Sequence, residues 1–156
     1  MSNPPPRSDA WTLAEGEGRL SVTLRGEIDK PAAEQLSQAL RDKAAAAPPG
    51  TYDVVFEING LRRCSIDARG VLAELQRYLG GCARRTAWVT NRPLFRGLAL
   101  WICHTAPDSN ARTFPSLRHA KAWMNSQERR EDVLVSNASH WIGKLRGRTF
   151  ATEASR

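Results

Sequence analysis

The sequence predicts an α/β fold with a central mixed, mostly parallel sheet covered by helices. Short runs rich in β-branched and aromatic residues alternate with longer runs whose apolar residues lie three and four positions apart. This alternation is typical of parallel strands joined by right-handed helical crossovers. Two strand-like runs at the start, separated by Gly16-Glu17-Gly18, add an antiparallel hairpin. The predicted order is β-β-α-β-α-β-α-β-α, followed by a C-terminal tail.

Length and composition divide the 156 residues into three parts. Residues 1–9 are polar and proline-rich, which predicts a disordered leader and no signal peptide. Residues 10–125 contain the strand and helix patterns and are long enough to bury a core of their own. Residues 126–156 form a charged, partly amphipathic extension, which would suit docking on the domain, on a partner or on a membrane surface.

The first half of the domain carries a hairpin and a helix. Residues 10–15 and 19–25 alternate between apolar and polar side chains, as hairpin strands do. Lys30 and Pro31 mark a helix entrance, because proline is favoured in the first turn, and the helix ends before Pro48. Its buried stripe is predicted to contain Ala33, Leu36, Leu40 and Ala44.

The centre of the domain is a strand over 52–58 that leads into a helix opening at Ile66. Asp67 is predicted as the N-cap of this helix, because its carboxylate can accept from the free amides of the first turn. Gly80 and Gly81 end the helix. Its apolar stripe is predicted to contain Val71, Leu72, Leu75, Tyr78, Leu79 and Cys82.

The remaining elements are a strand over 85–90, a short helix over 93–104, a strand over 111–114 and a closing helix capped by Ser116. The helix over 93–104 is apolar nearly all the way round. The stripe expected to face the sheet is Leu94, Leu98, Trp101 and Ile102. Phe95 and Leu100 would then point outward and form a second contact surface. A homodimer or another partner would suit that surface, as would three apolar residues of the extension, namely Trp141, Ile142 and Leu145.

Positive charge is concentrated in one part of the sequence. The net charge is +7 and the calculated pI is about 10.0. Between Leu61 and Arg96 there are eight arginines and only two acids, Asp67 and Glu74. One interpretation is a solvated, arginine-rich surface. The other is attraction to an acidic protein surface, an anionic lipid or a nucleic acid.

Nucleic-acid recognition needs more than this charge. Single-stranded nucleic acids stack their bases on exposed aromatic side chains. Trp11 and Trp88 fall in predicted strands, where covering helices would bury them. The arginines would then support only non-specific, salt-sensitive binding, which argues against sequence-specific recognition.

No catalytic, cofactor or metal site emerges from the residue types and spacings. Cys64 and Ser65 lie beside an acid, but no histidine is placed near them by the pattern, and a buried packing thiol explains Cys64 as well. Cys103 and His104 form one adjacent pair without further ligands at metal-binding spacing. The three scattered cysteines predict reduced thiols and a cytoplasmic location.

Several pieces in order resemble the STAS family, whose fold is that of the anti-sigma-factor antagonists. They are Gly26-Glu27-Ile28-Asp29, the strand up to Ile58, Ile66-Asp67-Ala68-Arg69, and Asn91-Arg92-Pro93. With Phe114-Pro115-Ser116-Leu117, the last pieces are more similar to uncharacterised STAS-like bacterial proteins related in fold to CRAL-TRIO lipid carriers. The resemblance implies a non-catalytic module that acts by docking on other proteins. It also implies that Ala68 stands where regulatory members have a phosphorylated serine or threonine.

We therefore expect a partner with an acidic surface to dock at the start of the helix that opens at Ile66. The expected face is Asp67, Ala68 and Arg69, flanked by Arg62, Arg63 and Arg92. Because Ala68 has no hydroxyl group, docking there would be constitutive. A binder of amphiphiles or of anionic membrane surfaces is the alternative, suggested by the resemblance to lipid carriers, the apolar helix and the basic extension.

Arg69 is unfavourable where the sequence places it. A positive charge in the first turn of a helix opposes the helix dipole by about 0.3–1 kcal/mol. Two explanations remain open at this stage: an internal ion pair, for which Glu57 or Asp29 are candidates, or contact with an anionic partner.

Overall fold

Within the described part of the chain, the sheet has five strands in the same order as the chain, and the predicted α/β fold is confirmed. The structure, a computed structural model, describes residues 9–106 and 110–126. The strands are β1 (Trp11–Gly16), β2 (Arg19–Ile28), β3 (Asp53–Cys64), β4 (Arg85–Val89) and β5 (Ala111–Phe114). Strand β1 runs antiparallel to β2, and β2 to β5 are parallel to one another. The predicted leader and extension fall outside the described residues, except for Asp9 and Ser126 at their borders.

Helices connect the parallel strands. They are α1 (Lys30–Ala45), α2 (Ile66–Gly80) and α3 (Pro93–Thr105), and a further helix, α4, occupies residues 117–126. Helix α1 begins as the sequence predicts, with Pro31 in its first turn and the Asp29 carboxylate accepting from the Ala32 amide at 2.9 Å. The four residues of its predicted stripe are all buried. The chain divides into two units after Ala120, and the sheet and helices α1 to α3 belong to the first.

The core is centred on Trp88 of β4, which is fully buried as predicted. Its ring stacks on Phe56 of β3 at a centroid distance of 4.0 Å. Its indole Nε1 donates to Gln76 Oε1 of α2 at 2.8 Å, which satisfies a polar group that burial would otherwise penalise. Trp11 is also buried. Neither strand tryptophan therefore offers a stacking platform for nucleic-acid bases.

Strand β3 is longer than its sequence pattern predicts. It pairs with β4 only over 53–57, but it continues beside β2 as far as Cys64. The apolar pattern stops at Ile58 because Asn59 and Gly60 follow. Two register shifts in the β2–β3 pairing, and a positive φ of 61° at Gly26, carry the strands past this irregular stretch. Because β3 continues to Cys64, helix α2 starts farther along the edge of the sheet than it would if β3 ended at Ile58.

Helix α3 is rotated relative to the sequence prediction. Its buried residues are Phe95, Ala99 and Ile102. Leu94 and Trp101, predicted to face the sheet, are 75% and 46% exposed, whereas Leu100 is exposed as expected. Ile102 is buried as predicted and Leu98 packs partly buried against the core, but the predicted positions of Leu94, Trp101 and Phe95 were wrong, because the helix has two comparable apolar stripes. The stripe with Ala99 at its centre is the one that packs against the core.

Two arginines of the basic segment are tied to one buried carboxylate. Asp53 is 3% exposed and accepts two hydrogen bonds from Arg84, at 3.1 and 3.0 Å, and one from Arg85 at 3.3 Å. These bonds join the starts of β3 and β4. This part of the positive charge therefore serves the fold, so the arginine-rich segment is not one continuous surface.

Candidate functional site

A cleft of about 1060 Å³ lies at the carboxyl ends of β2 and β3, between the start of α2 and helix α3. The register places Ile28 at the end of β2 beside Cys64 at the end of β3, and both are buried. The Ser65 amide donates to the Ile28 carbonyl oxygen at 3.0 Å, so the chain turns into α2 at this edge of the sheet.

Ser65, and not Asp67, caps helix α2. Its hydroxyl oxygen accepts from the Ala68 amide at 3.1 Å. The prediction was wrong because β3 runs on to Cys64, which puts the turn, and therefore the cap position, at Ser65. Asp67 lies within the first turn, exposed and lining the cleft. Its negative charge there still interacts favourably with the helix dipole.

Ala68 was expected to lie on the exposed docking face, but it does not. It is fully buried and is part of the hydrophobic core. Its methyl group points inward because it lies on the same side of α2 as Leu72 and Leu75, which are also fully buried. A partner at the start of α2 would therefore contact the residues around Ala68 and not Ala68 itself.

Arg69 is exposed and lines the cleft, and it makes a backbone contact instead of an ion pair. Its Nε donates to the Cys64 carbonyl oxygen at 3.2 Å. Among residues 9–106 and 110–126, no carboxylate lies within 4.0 Å of it, so neither Glu57 nor Asp29 is its partner. Burial raises the pKa of the Cys64 thiol, and the positive charge of Arg69 opposes that increase only in part.

Arg62 and Arg63 also line the cleft, and both are exposed. Glu27 is opposite Arg63 in the β2–β3 register, yet no carboxylate in the described part of the chain approaches either arginine within 4.0 Å. The cleft therefore presents three arginine side chains without an ion pair in the described residues, and the acids Glu27, Asp29 and Asp67 line the same cleft.

Arg92 has a different position from the one expected. Its Nη1 donates to the Leu61 carbonyl oxygen in the part of β3 that extends past β4, and its guanidinium lies 4.6 Å from the centre of the Phe95 ring. It is half-buried and does not line the cleft. These contacts link the start of α3 to the end of β3 and fix Phe95, which lines the cleft.

Exposed apolar side chains line the cleft, a feature that the sequence pattern did not predict. Ile66 is 83% exposed, and Leu94 and Trp101 line the same cleft.

The predicted second contact surface is not found as expected. Phe95, proposed as a contact residue, is 4% exposed and lies in the wall of the cleft. Leu100 is exposed but lies outside the cleft. The other three residues of the proposed second surface, Trp141, Ile142 and Leu145, lie outside the described residues.

The signal that could have revealed the apolar rim was present in the sequence. Leu94, Leu98 and Trp101 are spaced i, i+4 and i+7, and Ile66 occupies the first position of α2, where no core contact requires an apolar side chain. The spacing alone does not distinguish a stripe that packs on the sheet from one that faces a cleft.

The described residues show no arrangement that points to catalysis or metal binding. The two described histidines do not line the cleft: His104 lies near the end of α3, and His119 contacts the Ser116 hydroxyl at 2.6 Å. No cluster of three or more metal-ligating side chains is found within 9–106 and 110–126. No helix in these ranges is long and apolar enough to cross a membrane.

Neither a family model nor a curated protein matches this sequence. The solved structures that are similar in fold include the following three. An uncharacterised protein of the DUF3478 family from Shewanella loihica, described as having a SpoIIAA-like fold, aligns with a TM-score of 0.56 and 19% identity, over 73% of this chain and 91% of its own. The unphosphorylated anti-sigma factor antagonist SpoIIAA aligns with a TM-score of 0.53 and 14% identity, over 75% and 98%.

The third structure is an anti-sigma factor antagonist from Mycobacterium paratuberculosis. It aligns with a TM-score of 0.53 and 25% identity, over 78% of this chain and 97% of its own. All three alignments cover nearly the whole of the other chain and agree on one architecture. Together with the strand order, they show that this chain has a STAS-like, SpoIIAA-like fold.

Proposed function

We propose that this protein is a non-catalytic interaction module that docks a partner protein at the cleft beside the first turn of α2. The observation that carries the proposal is the 83% exposure of Ile66, which lines the same cleft as the exposed Leu94. Large apolar side chains that are exposed together mark interaction surfaces more often than isolated ones do. The printed descriptions of SpoIIAA and of the mycobacterial relative, as anti-sigma factor antagonists, agree with a role in protein interaction.

The apolar rim is large enough to anchor a complex. Burying an isoleucine or leucine side chain completely contributes about 1.5–3 kcal/mol. Trp101, which is 46% exposed, adds a residue type that is enriched among interface hot spots. The three residues together would supply the apolar centre that a specific interface needs, with polar side chains at its edge.

Charged side chains of both signs lie at the edge of the cleft, and its three exposed arginines would pair with acidic groups of a partner. These arginines are Arg62, Arg63 and Arg69, and the acids Glu27, Asp29 and Asp67 line the same cleft. Complementary charges at the edge of an interface accelerate association and set the orientation of the partner. We therefore keep Asp67, Arg69, Arg62 and Arg63 as docking residues. Ala68 packs in the core beneath the helix. Because alanine has no hydroxyl group to phosphorylate, phosphorylation at this position would not switch docking.

A binder of amphiphiles is the second candidate, and the cleft volume of about 1060 Å³ favours it. Ligand pockets commonly combine apolar walls with a few charged groups, and the three arginines would suit an anionic headgroup. The protein partner fits better because Ile66 and Leu94 are 83% and 75% exposed. A carrier that shields an acyl chain from water would be expected to enclose such side chains.

The test is an Ile66→Glu variant, with Leu100→Glu as the matched control because Leu100 is exposed but lies outside the cleft. Proteins captured from the source cells by the wild type are identified, purified and titrated against both variants by calorimetry. We expect Ile66→Glu to weaken the complex at least tenfold and Leu100→Glu to leave it unchanged. Equal affinities for the two variants would refute docking at the cleft. A lipid mass retained by the wild type in native mass spectrometry would favour the amphiphile binder instead.

A further inference from the structure

Asn59 and Gly60 form the only asparagine–glycine pair in the 156 residues. Both residues lie within β3 and both are exposed. Glycine has no Cβ, so its backbone nitrogen can approach the side chain before it more closely than the nitrogen of any other residue type. Asn59 is therefore the asparagine of this chain whose side-chain amide carbon, Cγ, is most open to attack by the next backbone nitrogen.

The pair lies where β3 is least regular. The pairing of β3 with β4 ends at Glu57. In the pairing with β2, a register shift between Thr23 and Arg25 leaves one more residue on β3 than on β2. A bulge of this kind disrupts the ladder of hydrogen bonds and leaves the extra residue unpaired. The chain around Asn59 is therefore less constrained than the interior of a regular strand.

The fold itself requires glycine at position 60. A Cβ added to Gly60 would lie 3.1 Å from Cγ of Arg25 and 3.3 Å from the carbonyl oxygen of Leu24, both closer than ordinary contacts. A glycine inside a strand often marks such a close approach of another backbone. The residue that makes Asn59 reactive is therefore retained by the packing of β2 on β3.

The backbone amide of Asn91 holds the side chain of Asn59 in place. It donates to Oδ1 at 2.9 Å. When a nucleophile adds to Cγ, negative charge develops on this oxygen. A donor that already points at the oxygen stabilises the charge without reorganisation. The folded chain therefore supplies a contact that favours the reaction.

From these observations we propose that Asn59 is a site of spontaneous covalent modification in the folded protein. The backbone nitrogen of Gly60 loses its proton to hydroxide and bonds to Cγ of Asn59. The bond from Cγ to the side-chain nitrogen breaks, and this nitrogen takes up a proton from water and leaves as ammonia. Water then opens the cyclic succinimide at either carbonyl group, which gives aspartate or isoaspartate. The inference does not depend on the proposed function.

The two products differ in their effect on the fold. Aspartate keeps an oxygen that can accept from the Asn91 amide and adds one negative charge. Isoaspartate adds one carbon to the main chain, directly before Leu61, which is fully buried and opposite Gly26 of β2. The longer chain cannot keep this register, so we expect the isoaspartate form to be less stable than the unmodified protein.

The experiment is incubation of the purified full-length protein in mildly alkaline buffer at physiological temperature, with and without urea. Peptide mass spectrometry follows the gain of one mass unit at each asparagine, and a protein isoaspartate methyltransferase labels isoaspartate alone. In the native protein we expect Asn59 to react at least tenfold faster than Asn91 and Asn110. We also expect its native rate to lie within tenfold of its rate in urea and to rise in proportion to the hydroxide concentration.

Two variants check the assignment. Asn59→Gln should abolish the methyltransferase signal, whereas Asn91→Gln should retain it, because the donor to Asn59 is the backbone amide of Asn91. An Asn59 that stays intact in the native protein but reacts in urea would overturn the proposal, since the strand would then protect it. A product that is aspartate alone would overturn the succinimide route. If the isolated isoaspartate form unfolds at the same urea concentration as the unmodified protein, the expected effect on β3 is wrong.

Discussion

Arg69 donates from Nε to the carbonyl oxygen of Cys64 at 3.2 Å, across the junction between β3 and α2. The bond ties the first turn of the helix to the last residue of the strand. It gives the guanidinium a hydrogen-bond acceptor at the end of the helix where the dipole disfavours a positive charge. The rest of the side chain stays available at the cleft, because Arg69 is exposed and has no internal ion pair in the described part of the chain.

Replacing Arg69 by alanine should affect binding more than stability. The lost hydrogen bond is worth about 0.5–1.5 kcal/mol, and removal of the unfavourable dipole interaction returns about 0.3–1 kcal/mol. We expect the free energy of unfolding in urea to change by less than about 1 kcal/mol, while partner affinity falls about tenfold. Arg96→Ala is the control, since Arg96 is exposed on α3 and does not line the cleft. A large loss of stability with unchanged affinity would assign Arg69 to the fold alone.

The capping role of Ser65 predicts a difference between two neighbouring substitutions. Ser65→Ala removes the acceptor of the Ala68 amide and should lower the free energy of unfolding by about 1 kcal/mol. Asp67→Asn removes only the favourable charge in the first turn and should cost about 0.3–1 kcal/mol at low salt, less at high salt. Ser65→Asp should retain most of the stability, since aspartate is an equally good cap. The reverse ranking, with Asp67→Asn more damaging than Ser65→Ala, would restore Asp67 as the cap.

Ala68→Asp should disrupt the fold and therefore cannot serve as a simple mimic of a phosphorylated side chain. The position is fully buried in the core, and a carboxylate placed there without a partner costs several kcal/mol. We expect the cooperative thermal transition to be lost or to shift far downward. Gly70→Asp is the matched control, because Gly70 is exposed and a side chain added there meets no atom within 4 Å. If Ala68→Asp melts like Gly70→Asp, the burial of Ala68 is wrong.

Burial raises the pKa of the Cys103 thiol to about 11, from an ordinary value of 9.0. At pH 8 only about one thiol in a thousand would then be ionised, so alkylation by iodoacetamide in the native state should be about 100-fold slower than in urea. Peptide mass spectrometry of timed samples measures this rate for Cys103 alone. A native rate close to the unfolded rate would contradict the shift.

The same pKa predicts how stability depends on pH. The folded state holds the thiol proton more tightly than the unfolded state, so this contribution is fully present below pH 9 and is lost as the pH rises toward about 11. Wild type should therefore lose stability between these values more steeply than Cys103→Ala. Parallel pH profiles of the two proteins would show that Cys103 makes no such contribution.

The order of strands and helices and the buried face of α1 could be predicted from the sequence alone. Ala33, Leu36, Leu40 and Ala44 repeat at helical spacing with polar residues between them, so only one face of α1 could be buried. The burial of Trp88 could also be predicted, since helices cover a strand that is flanked by helical segments in an α/β pattern. These features follow from local periodicity and from the hydrophobic effect.

Only the tertiary structure decided which stripe of α3 faces the core. The stripe through Phe95 and the stripe through Leu94 are both apolar, and periodicity does not rank them. The choice depends on the shape of the sheet surface and on contacts from elsewhere, such as the Arg92 guanidinium over the Phe95 ring. Once Phe95 is buried, Leu94 and Trp101 necessarily turn toward the cleft.

The tertiary structure also decided which charged side chains meet at the cleft. Arg62, Arg63 and Arg69 are visible in the sequence as a basic cluster, but Arg84 and Arg85 of that cluster are bonded to Asp53, more than thirty residues away. Sequence alone does not show which charges are neutralised, because ion pairs form between segments that only the folded chain brings together. The sequence therefore determined which side chains exist and which elements carry them, and the packing of β3 beside β2 and of α3 on the sheet decided which of them meet at the cleft.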